Sequence, residues 1–309
     1  MALEIPFVAP LDDVHYGAAE RVSPLIRRVI ANNPSKYTYR GTGTYIVGET
    51  GAEVVVIDPG PALDEHREAL WAALAGQHVT AILVTHCHAD HSPLAAWLSD
   101  ETGAPTVALG PHGAVDPEKE RGSDGTGEES IDLAFSPDVF AADGDVVAEV
   151  GGAPMRAVFT PGHTSNHMCF SLDAERALFT GDHVMGWSTT VVSPPDGNMR
   201  DYMDSLAKVA GRSDATLWPT HGNPVTDPKP FLQAYFAHRV EREQQVLGRV
   251  RAGDTAIADI VKILYAGVRE ELHKAAARSV LAHLVKLVDD GQVSVLGGGP
   301  ATLTSAFTA

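Results

Sequence analysis

The stretch Thr85-His86-Cys87-His88-Ala89-Asp90-His91 places three imidazoles and one carboxylate within six consecutive positions. It follows residues 81–84, an apolar run that is typical of a buried strand. The chain holds 14 histidines, so one close pair of them would carry little weight. The meaning of the motif therefore depends on which other parts of the chain bring donor atoms to the same place.

Three later clusters also place donors in turns that contain Gly or Pro and follow strand-like runs. They are residues 160–164, 180–183 and 220–222. Loops at strand ends can converge on one cleft while the sheet behind them stays rigid. Together with the first motif they supply seven donors, the number that two adjacent metal ions need: His86, His88, Asp90, His91, His163, Asp182 and His221.

The spacing within the first motif indicates how the donors divide between two ions. Residues two apart in an extended loop point the same way, so His86 and His88 are expected to bind one ion while Asp90 and His91 face the other. Imidazole and carboxylate donors favour Zn²⁺, with Mn²⁺ or Fe as alternatives under another metal supply. Three protein ligands on each ion and a shared carboxylate leave positions open for water, which predicts a catalytic site.

The composition predicts a folded protein whose acidity lies in its first part. Of the 309 residues, 44% are hydrophobic and 20% charged, and the formal net charge is −17. Residues 231–309 carry nine Lys and Arg against eight Asp and Glu, whereas residues 1–230 carry 14 against 32. This charge argues against a generic polyanion binder, because nucleic-acid affinity depends largely on Lys and Arg.

Cysteine use and hydropathy indicate the compartment. Two cysteines, Cys87 and Cys169, cannot form a disulfide framework in a chain of this length and are expected to be small buried side chains. The first 15 residues do not resemble a leader peptide, and no apolar run reaches the roughly 18 residues of a membrane helix. We therefore expect a cytoplasmic protein with no membrane segment.

Short β-branched runs alternate with helical patterns through the first two-thirds of the chain, which predicts mixed α and β layers. The acidic segment 110–145 is expected to be an exposed loop, with a flap over a cleft as the alternative. The expected strands are 44–47, 54–57, 81–84, 106–109, 157–159, 168–171 and 177–179, and the expected helices are 63–74 and 93–98.

A change of character near residue 230 predicts two domains. Three prolines between positions 224 and 230 precede long helical patterns, so the domains are expected to be residues 1–230 and 231–309. Helix, helix and hairpin is the order of a winged-helix module. The expected elements are helices 231–250, 255–266 with Asp254 as N-cap, and 270–288, then a hairpin of 293–296 and 301–307.

The order of the donor motifs, His-x-His-x-Asp-His, Gly-His, Gly-Asp and a late His, resembles the metallo-β-lactamase superfamily over about residues 40–225. The resemblance implies an α/β fold, a four-layer αββα sandwich. It implies that Asp58 supports the metal loop from behind the ligands. It also implies a ligand set: His86, His88 and His163 on the first ion, Asp90, His91 and His221 on the second, and Asp182 bridging both.

A second resemblance covers nearly the whole chain. Residues 39–45, 161–168, 201–206 and 238–245 resemble the β-lactamase-like protein 2 family, in which the same sandwich precedes a winged-helix tail. The animal members are single-strand endoribonucleases, so the resemblance implies that activity. The segment 193–198 looks longer than the family's connection, and the acidic segment has no close match. These departures leave the substrate open between single-stranded RNA and a small molecule.

Two metal ions are expected to share a hydroxide that attacks a carbonyl carbon or a phosphorus. Asp90 would orient it and pass its proton to the leaving group, so no covalent Ser or Cys intermediate is needed. In the superfamily that the motifs resemble, antibiotic-hydrolysing β-lactamases lack an Asp at the bridging position and lactonases usually carry a Tyr shortly after it. Asp182 and the lack of a Tyr at 184–187 therefore argue, by this resemblance, against a dedicated β-lactamase and against a lactonase. Thioester or ester hydrolysis of the glyoxalase II type therefore stands beside phosphodiester hydrolysis, with weak β-lactamase or lactonase activity as a side reaction.

A different class of function is a nucleic-acid-binding regulator that works through the winged helix. Lys274, Arg278 and Lys286 lie on the last predicted helix, but four acidic residues flank them and favour a solvated face. The complete set of seven donors favours an enzyme. In an enzyme, the tail would roof the cleft or pair two subunits in a homodimer.

Overall fold

A computed structural model describes residues 4–113 and 130–309, so residues 114–129 of the predicted acidic loop lie outside the described residues. A sheet of seven strands comes first along the chain. Its strands are β1 (Ala19–Arg21), β2 (Ile26–Ile30), β3 (Gly43–Val47), β4 (Glu53–Ile57), β5 (His78–Leu83), β6 (Thr106–Ala108) and β7 (Val139–Phe140). They lie in sequence order, antiparallel from β1 to β4 and parallel from β4 to β7.

A second sheet of five strands faces the first. Its strands are β8 (Val146–Val150), β9 (Ala153–Phe159), β10 (Met168–Leu172), β11 (Ala177–Gly181) and β12 (Thr216–Pro219). The order is β12-β11-β10-β9-β8, with β11 and β12 parallel and the other neighbours antiparallel. Strands β9, β11 and β12 therefore run in one direction and end at the same edge.

Helices cover the outer face of each sheet. The helices α1 (Asp64–Ala73) and α2 (Ala95–Thr102) pack on the first sheet. The second sheet is covered by α3 (Met199–Ala210) and the first half of α4 (Pro228–Arg251). Tyr45, Phe170 and Trp218 belong to the core between the sheets. This arrangement confirms the predicted α/β fold with its four αββα layers.

Central strands such as β4 and β10 are apolar on both faces because both faces are covered. In β10, Met168 and Phe170 point into the core between the sheets, and Cys169 points towards the helices. In β4, Val55 and Val56 divide in the same way. All seven predicted strands are confirmed, as β3, β4, β5, β6, β9, β10 and β11, with shifted ends.

The C-terminal part forms the predicted winged helix. Helices α5 (Ile257–Leu264) and α6 (His273–Asp289) precede an antiparallel hairpin of β13 (Ser294–Val295) and β14 (Phe307–Thr308). The predicted N-cap Asp254 is wrong, because the helix begins later, after Ala256. Asp254 instead accepts a hydrogen bond of 2.5 Å from Arg249 Nε, whose positive charge attracts the carboxylate.

Helix α4 belongs to two cores. Phe231 and Tyr235 pack with the second sheet, whereas Val246 and Val250 pack with α5 and α6. The division after residue 230 stays a prediction. Across residues 4–113 and 130–309, none of the helices combines the length with the apolar composition that crossing a bilayer requires.

Candidate metal centre

The four donor clusters follow the ends of β5, β9, β11 and β12. Three of these strands end at the same edge of the second sheet. The loop after β5 reaches that edge as well, because Thr85 O accepts a hydrogen bond of 2.8 Å from Met168 N at the start of β10. All seven predicted donors therefore meet at one place. The sets of three donor residues that lie close enough together to hold a metal ion all belong to these seven.

Three histidines form the first donor group. His86 Nε2 lies 2.9 Å from His88 Nδ1, and His163 Nε2 lies 3.1 Å from the same atom. All three side chains are buried. Burial, followed by the neighbouring imidazoles, lowers the pKa of His86 and favours its neutral form.

Outer hydrogen bonds fix which nitrogen of each ring faces the centre. The Thr85 hydroxyl donates to Asp58 Oδ2 at 2.8 Å, so it can only accept from His86 Nδ1, 3.0 Å away. His163 Nδ1 donates to Val191 O at 2.7 Å. The Nε2 atoms of both rings therefore carry lone pairs.

These two lone pairs point at the same nitrogen of His88. One hydrogen on His88 Nδ1 would satisfy one of the two contacts and leave the other as a close approach of two acceptors. A cation placed among the three nitrogens would satisfy all of them. The three-histidine group therefore fits a metal ion of the kind that neutral imidazole binds, such as Zn²⁺.

The second donor group has the same outer support. His91 Nδ1 donates to Asp58 Oδ2 at 2.9 Å, and His221 Nδ1 contacts Gly41 O at 3.1 Å. A carboxylate or carbonyl partner on one ring nitrogen directs the other towards a metal, as is usual for histidine ligands. The Nε2 atoms of both rings accordingly face Asp90 and Asp182.

Asp182 lies between the two groups. Its Oδ1 is 3.4 Å from His221 Nε2 and 3.7 Å from His91 Nε2, while its Oδ2 is 3.8 Å from His163 Nε2. Asp90 Oδ2 is 3.3 Å from His221 Nε2. One carboxylate thus reaches both donor groups, which is the position of a bridging ligand.

The two carboxylates of this second group attract positive charge, either as a proton on an imidazole or as a metal ion that takes its place. Burial alone would raise the pKa values of Asp90 and Asp182, but the positive charges of His91 and His221 hold both well below the usual range. Burial alone would lower the pKa of His91, yet the nearby carboxylates raise it to about 9. In the described chain His91 Nε2 and Asp182 Oδ1 are buried without a hydrogen-bond partner. These atoms fit a metal ion as their missing partner.

Asp58 lies behind the donors and joins three loops. Its Oδ1 accepts from Thr85 N at 2.8 Å, and its Oδ2 accepts from Thr220 Oγ1 at 3.2 Å as well as from His91 and Thr85 Oγ1. The side chain is buried. Asp58 therefore has the supporting position expected from the sequence, although its role stays a prediction.

The centre opens to solvent on the carboxylate side. The side chains of Asp90 and Asp182 are 23% and 12% exposed, whereas that of His91 is fully buried. Trp187 stacks on Tyr39 at 4.7 Å beside the opening. A narrow pocket leads to the donors and is lined by Lys36, Tyr37, His163, Asp182, Met185, Trp187, Ser188, Thr189 and Val191.

The groups that support the donors through hydrogen bonds from outside the centre were not predicted from the sequence. Thr85 and Thr220 each precede a donor histidine, and both hydroxyls bond to Asp58. The repeated Thr-His pair was the signal that could have identified them. The carbonyls of Gly41 and Val191 had no such signal, because any residue carries a carbonyl.

Comparison with known proteins places this site in a family. Residues 38–221 match the Metallo-beta-lactamase superfamily, and residues 256–299 match the Beta-lactamase associated winged helix domain. The atrochrysone carboxyl ACP thioesterase of Emericella nidulans is 32% identical, covering 89% of this chain and 82% of its own. The beta-lactamase-like protein 2 homolog of Caenorhabditis elegans is 30% identical, covering 90% and 89%.

Solved structures share the fold. A beta-lactamase domain protein from Burkholderia ambifaria superposes with a TM-score of 0.76 at 22% identity, over 97% of this chain and 96% of its own. A metallo-beta-lactamase family protein from Thermus thermophilus gives 0.72 at 23%, over 93% and 99%. Together, the matched domains, the relatives and the fold show that this chain is a hydrolase of the metallo-β-lactamase superfamily, with the associated winged helix at its C-terminus.

Proposed function

We propose that the protein hydrolyses acyl thioesters with two divalent metal ions, zinc by preference, held by the seven donors. The observation that carries the proposal is the position of Asp182, 3.8 Å from His163 Nε2 of the first donor group and 3.4 Å from His221 Nε2 of the second, at the end of a pocket reaching solvent. A closed structural metal site would use its donors for folding alone. Here the exposed side of the carboxylates leaves room for water and substrate.

The donors divide between two ions in this proposal. When bound, such ions lower the pKa of a water molecule and polarise the substrate carbonyl. The first ion would be held by His86, His88 and His163, the second by Asp90, His91 and His221, and Asp182 would contact both.

Asp90 is proposed to transfer a proton from the attacking water to the leaving group. Its Oδ2 accepts a hydrogen bond of 2.8 Å from Thr42 Oγ1, which fixes the carboxylate beside the opening. The ionised carboxylate accepts a proton from the attacking water as the new carbon–oxygen bond forms. The carbon–sulfur bond then breaks, and Asp90 returns the proton to the departing thiolate. The products are a carboxylic acid and a thiol.

The chain does not use its thiol between the donors as a nucleophile. Cys87 is buried, and burial raises its pKa to about 12, so the reactive thiolate is scarce at neutral pH. Asn166 Nδ2 lies 3.0 Å from Cys87 Sγ and further fixes it away from the opening. Direct attack by water is therefore favoured over an acyl-cysteine intermediate.

The wall of the pocket offers apolar surface for the acyl part of the proposed substrate. Met185, Trp187 and Val191 offer apolar surface next to His163 and Asp182. Several relatives that match about nine-tenths of this chain carry the name atrochrysone carboxyl ACP thioesterase. These two observations favour a thioester over a phosphodiester.

The charges of the winged helix do not favour nucleic acid. Lys286 Nζ lies 2.9 Å from Glu243 Oε1 and 2.9 Å from Asp290 Oδ2, and Arg200 also pairs with Asp290. Arg200 lies on α3, so Lys286 is the winged-helix cation that these pairs neutralise, and the chain as a whole carries a net charge of −17. The single-strand endoribonuclease and the nucleic-acid-binding regulator are therefore kept as outcomes of the test below. A homodimer and a cytoplasmic location stay predictions.

A substrate panel tests the proposal. Purified protein is expected to contain about two zinc equivalents by elemental analysis. It is expected to hydrolyse acyl-coenzyme A or acyl-glutathione in preference to a lactone, a β-lactam or a single-stranded RNA oligonucleotide. The variant His88→Ala should lose this activity, whereas His78→Ala, which removes an exposed histidine of β5, should keep it.

Two results would overturn the proposal. A metal content near zero in zinc-replete preparations would remove the metal centre. Cleavage of RNA by the wild type but not by His88→Ala, without thioester turnover, would assign the endoribonuclease instead. Retention of RNA without cleavage would support the regulator.

A further inference from the structure

We propose that Tyr235 and Arg239 of α4 are positioning residues for the metal centre. They hold residues 183–191, here called the ligand loop, in the one conformation that presents Asp182 and His163 correctly. The inference rests on the proposed metal site, but it concerns residues that do not touch a ligand or substrate.

The ligand loop controls two donors at once. Asp182 directly precedes it, so the path of the loop sets where this carboxylate points. Val191 ends it, and the Val191 carbonyl accepts the hydrogen bond of 2.7 Å that orients His163. Trp187, within the loop, lines the pocket. A shift of this loop would therefore move a bridging donor, a terminal donor and the pocket wall together.

Tyr235 ties the middle of the loop to α4. Its hydroxyl accepts from Thr190 N at 2.6 Å and donates to Ser188 O at 3.1 Å. Thr190 Oγ1 in turn donates to His183 O at 3.0 Å. The Tyr235 side chain is fully buried, so these hydrogen bonds do not compete with water.

Arg239 adds a buried charge to the same point. Its guanidinium donates to Thr190 O and lies 5.1 Å from the centre of the Tyr202 ring. The residue is 3% exposed, and within residues 4–113 and 130–309 it forms no ion pair with a carboxylate. Burying a guanidinium on a carbonyl and an aromatic face is costly. This free-energy cost of burying Arg239 is explained if its guanidinium holds the Thr190 carbonyl, directly before Val191, in place.

The opposite end of α4 belongs to the winged helix. Val246 and Val250 lie in that core, whereas Tyr235 lies in the core beside the second sheet. A single continuous helix thus joins the support of the ligand loop to the C-terminal module. In this arrangement the helix that supports the ligand loop also forms part of the winged-helix core.

The test compares Arg239→Met, Arg239→Lys and Tyr235→Phe with the wild type. The control is Arg249→Met, on the same helix, where the arginine is partly exposed and pairs with Asp254. Zinc affinity is measured by competition with a chromophoric chelator, and hydrogen exchange of residues 184–191 is measured on the metal-free chain. We expect Arg239→Met to weaken zinc binding by about 10-fold or more, as is usual when the outer support of a ligand is removed.

Two further results are expected. Tyr235→Phe should speed exchange of the Thr190 amide, which loses its acceptor, and Arg239→Lys should recover part of the zinc affinity because it keeps a cationic donor. The control should leave affinity and exchange unchanged. A general loss of stability would not produce this selective pattern.

Unchanged zinc affinity and unchanged loop exchange in Arg239→Met and Tyr235→Phe would overturn the inference while leaving the metal centre intact. Failure of the wild type to bind zinc would overturn the metal centre and the inference together. If Arg239→Met does not fold, Tyr235→Phe decides, because it removes a single hydroxyl and keeps the ring.

Discussion

The candidate metal centre and the winged-helix core bury opposite kinds of side chain. The centre packs imidazoles and carboxylates against one another, and in the described chain His91 Nε2 and Asp182 Oδ1 remain without a hydrogen-bond partner. The winged-helix core is mostly aliphatic, with Ile260, Val280 and Leu284 fully buried. His283 of α6 is buried beside it, 3.6 Å from Glu243. Buried polar atoms without partners cost stability, whereas buried aliphatic groups supply it.

This contrast distinguishes the region that serves chemistry from the region that serves stability. Buried polar atoms without partners lower the stability of the fold, so another part of the chain must supply the stability that they remove. Functional sites are where such a conflict between stability and chemistry is expected. Substitutions in the two regions should therefore separate activity from stability. The following predictions test that separation.

The largest effect is expected from Asp182→Asn. The amide keeps the shape but removes the charge that reaches both donor groups, so hydrolysis should fall on the order of 1,000-fold, equivalent to about 4 kcal/mol of activation free energy. The melting temperature should change little. Steady-state kinetics and thermal unfolding measure the two quantities.

Asp143→Asn is the matched control, because Asp143 is an exposed aspartate that pairs with Lys208 and is not one of the seven donors. It should keep full activity. Undiminished turnover by Asp182→Asn would assign the bridging position to another group.

An intermediate effect, on stability and not on activity, is expected from Leu284→Ala. Removal of a fully buried leucine from the winged-helix core should lower the free energy of unfolding by about 3 kcal/mol. Activity per folded molecule should be unchanged at temperatures well below unfolding. Denaturant titration measures the first quantity, and kinetics at low temperature measure the second.

Leu303→Ala, at a partly exposed position of the same module, should cost much less. A large loss of kcat in folded Leu284→Ala would show that the two regions are not separable.

The smallest effect is expected from Lys286→Gln. This side chain is 17% exposed and pairs with Glu243 and Asp290, so its loss should cost on the order of 1 kcal/mol. Neither activity nor retention on immobilised RNA should change. Lys262→Gln, at an exposed position of α5, gives the baseline for losing a positive charge. If Lys286→Gln but not Lys262→Gln weakened RNA retention, the winged helix would serve more than stability, and a nucleic-acid-binding surface would be supported.

The donors of the centre were predictable because each lies in a short turn directly after a strand. The motif of His86 to His91 needs no long-range information to be seen, and strand direction then brings the four turns to one edge. Their outer partners were not predictable in the same way. Gly41 O and Val191 O act through the backbone, and their positions depend on how distant loops cross.

Parts of the fold were missed for physical reasons. Strand β2 carries Arg27 and Arg28 in its middle, which hides its strand pattern. Both are buried, because Arg28 Nη1 donates to Gly222 O at 2.9 Å and Arg27 Nη1 to Ala73 O at 3.2 Å. The strands β1, β7 and β8 were also not predicted, and β12 was inferred only as the strand-like run before residues 220–222.

Helix α3 was missed despite a local signal. Asn198 caps it by accepting hydrogen bonds from Arg200 N at 2.9 Å and Asp201 N at 3.2 Å. The Gly- and Pro-rich residues before it favoured a loop interpretation. Arg239 lies in the segment 238–245 that resembles the family, but its network with Tyr235 was not predicted, since it forms only when α4 packs against the second sheet.

The continuity of α4 has a consequence for how this protein can be divided. A chain cut after residue 230 would keep every donor, yet it would lose Phe231, Tyr235 and Arg239 along with the C-terminal module. The cut would expose the apolar face that α4 covers on the second sheet and would also release the ligand loop. The catalytic half is therefore not expected to fold as an independent fragment. Detaching the module cleanly would require a cut near the middle of the helix, which leaves its first turns with the sandwich.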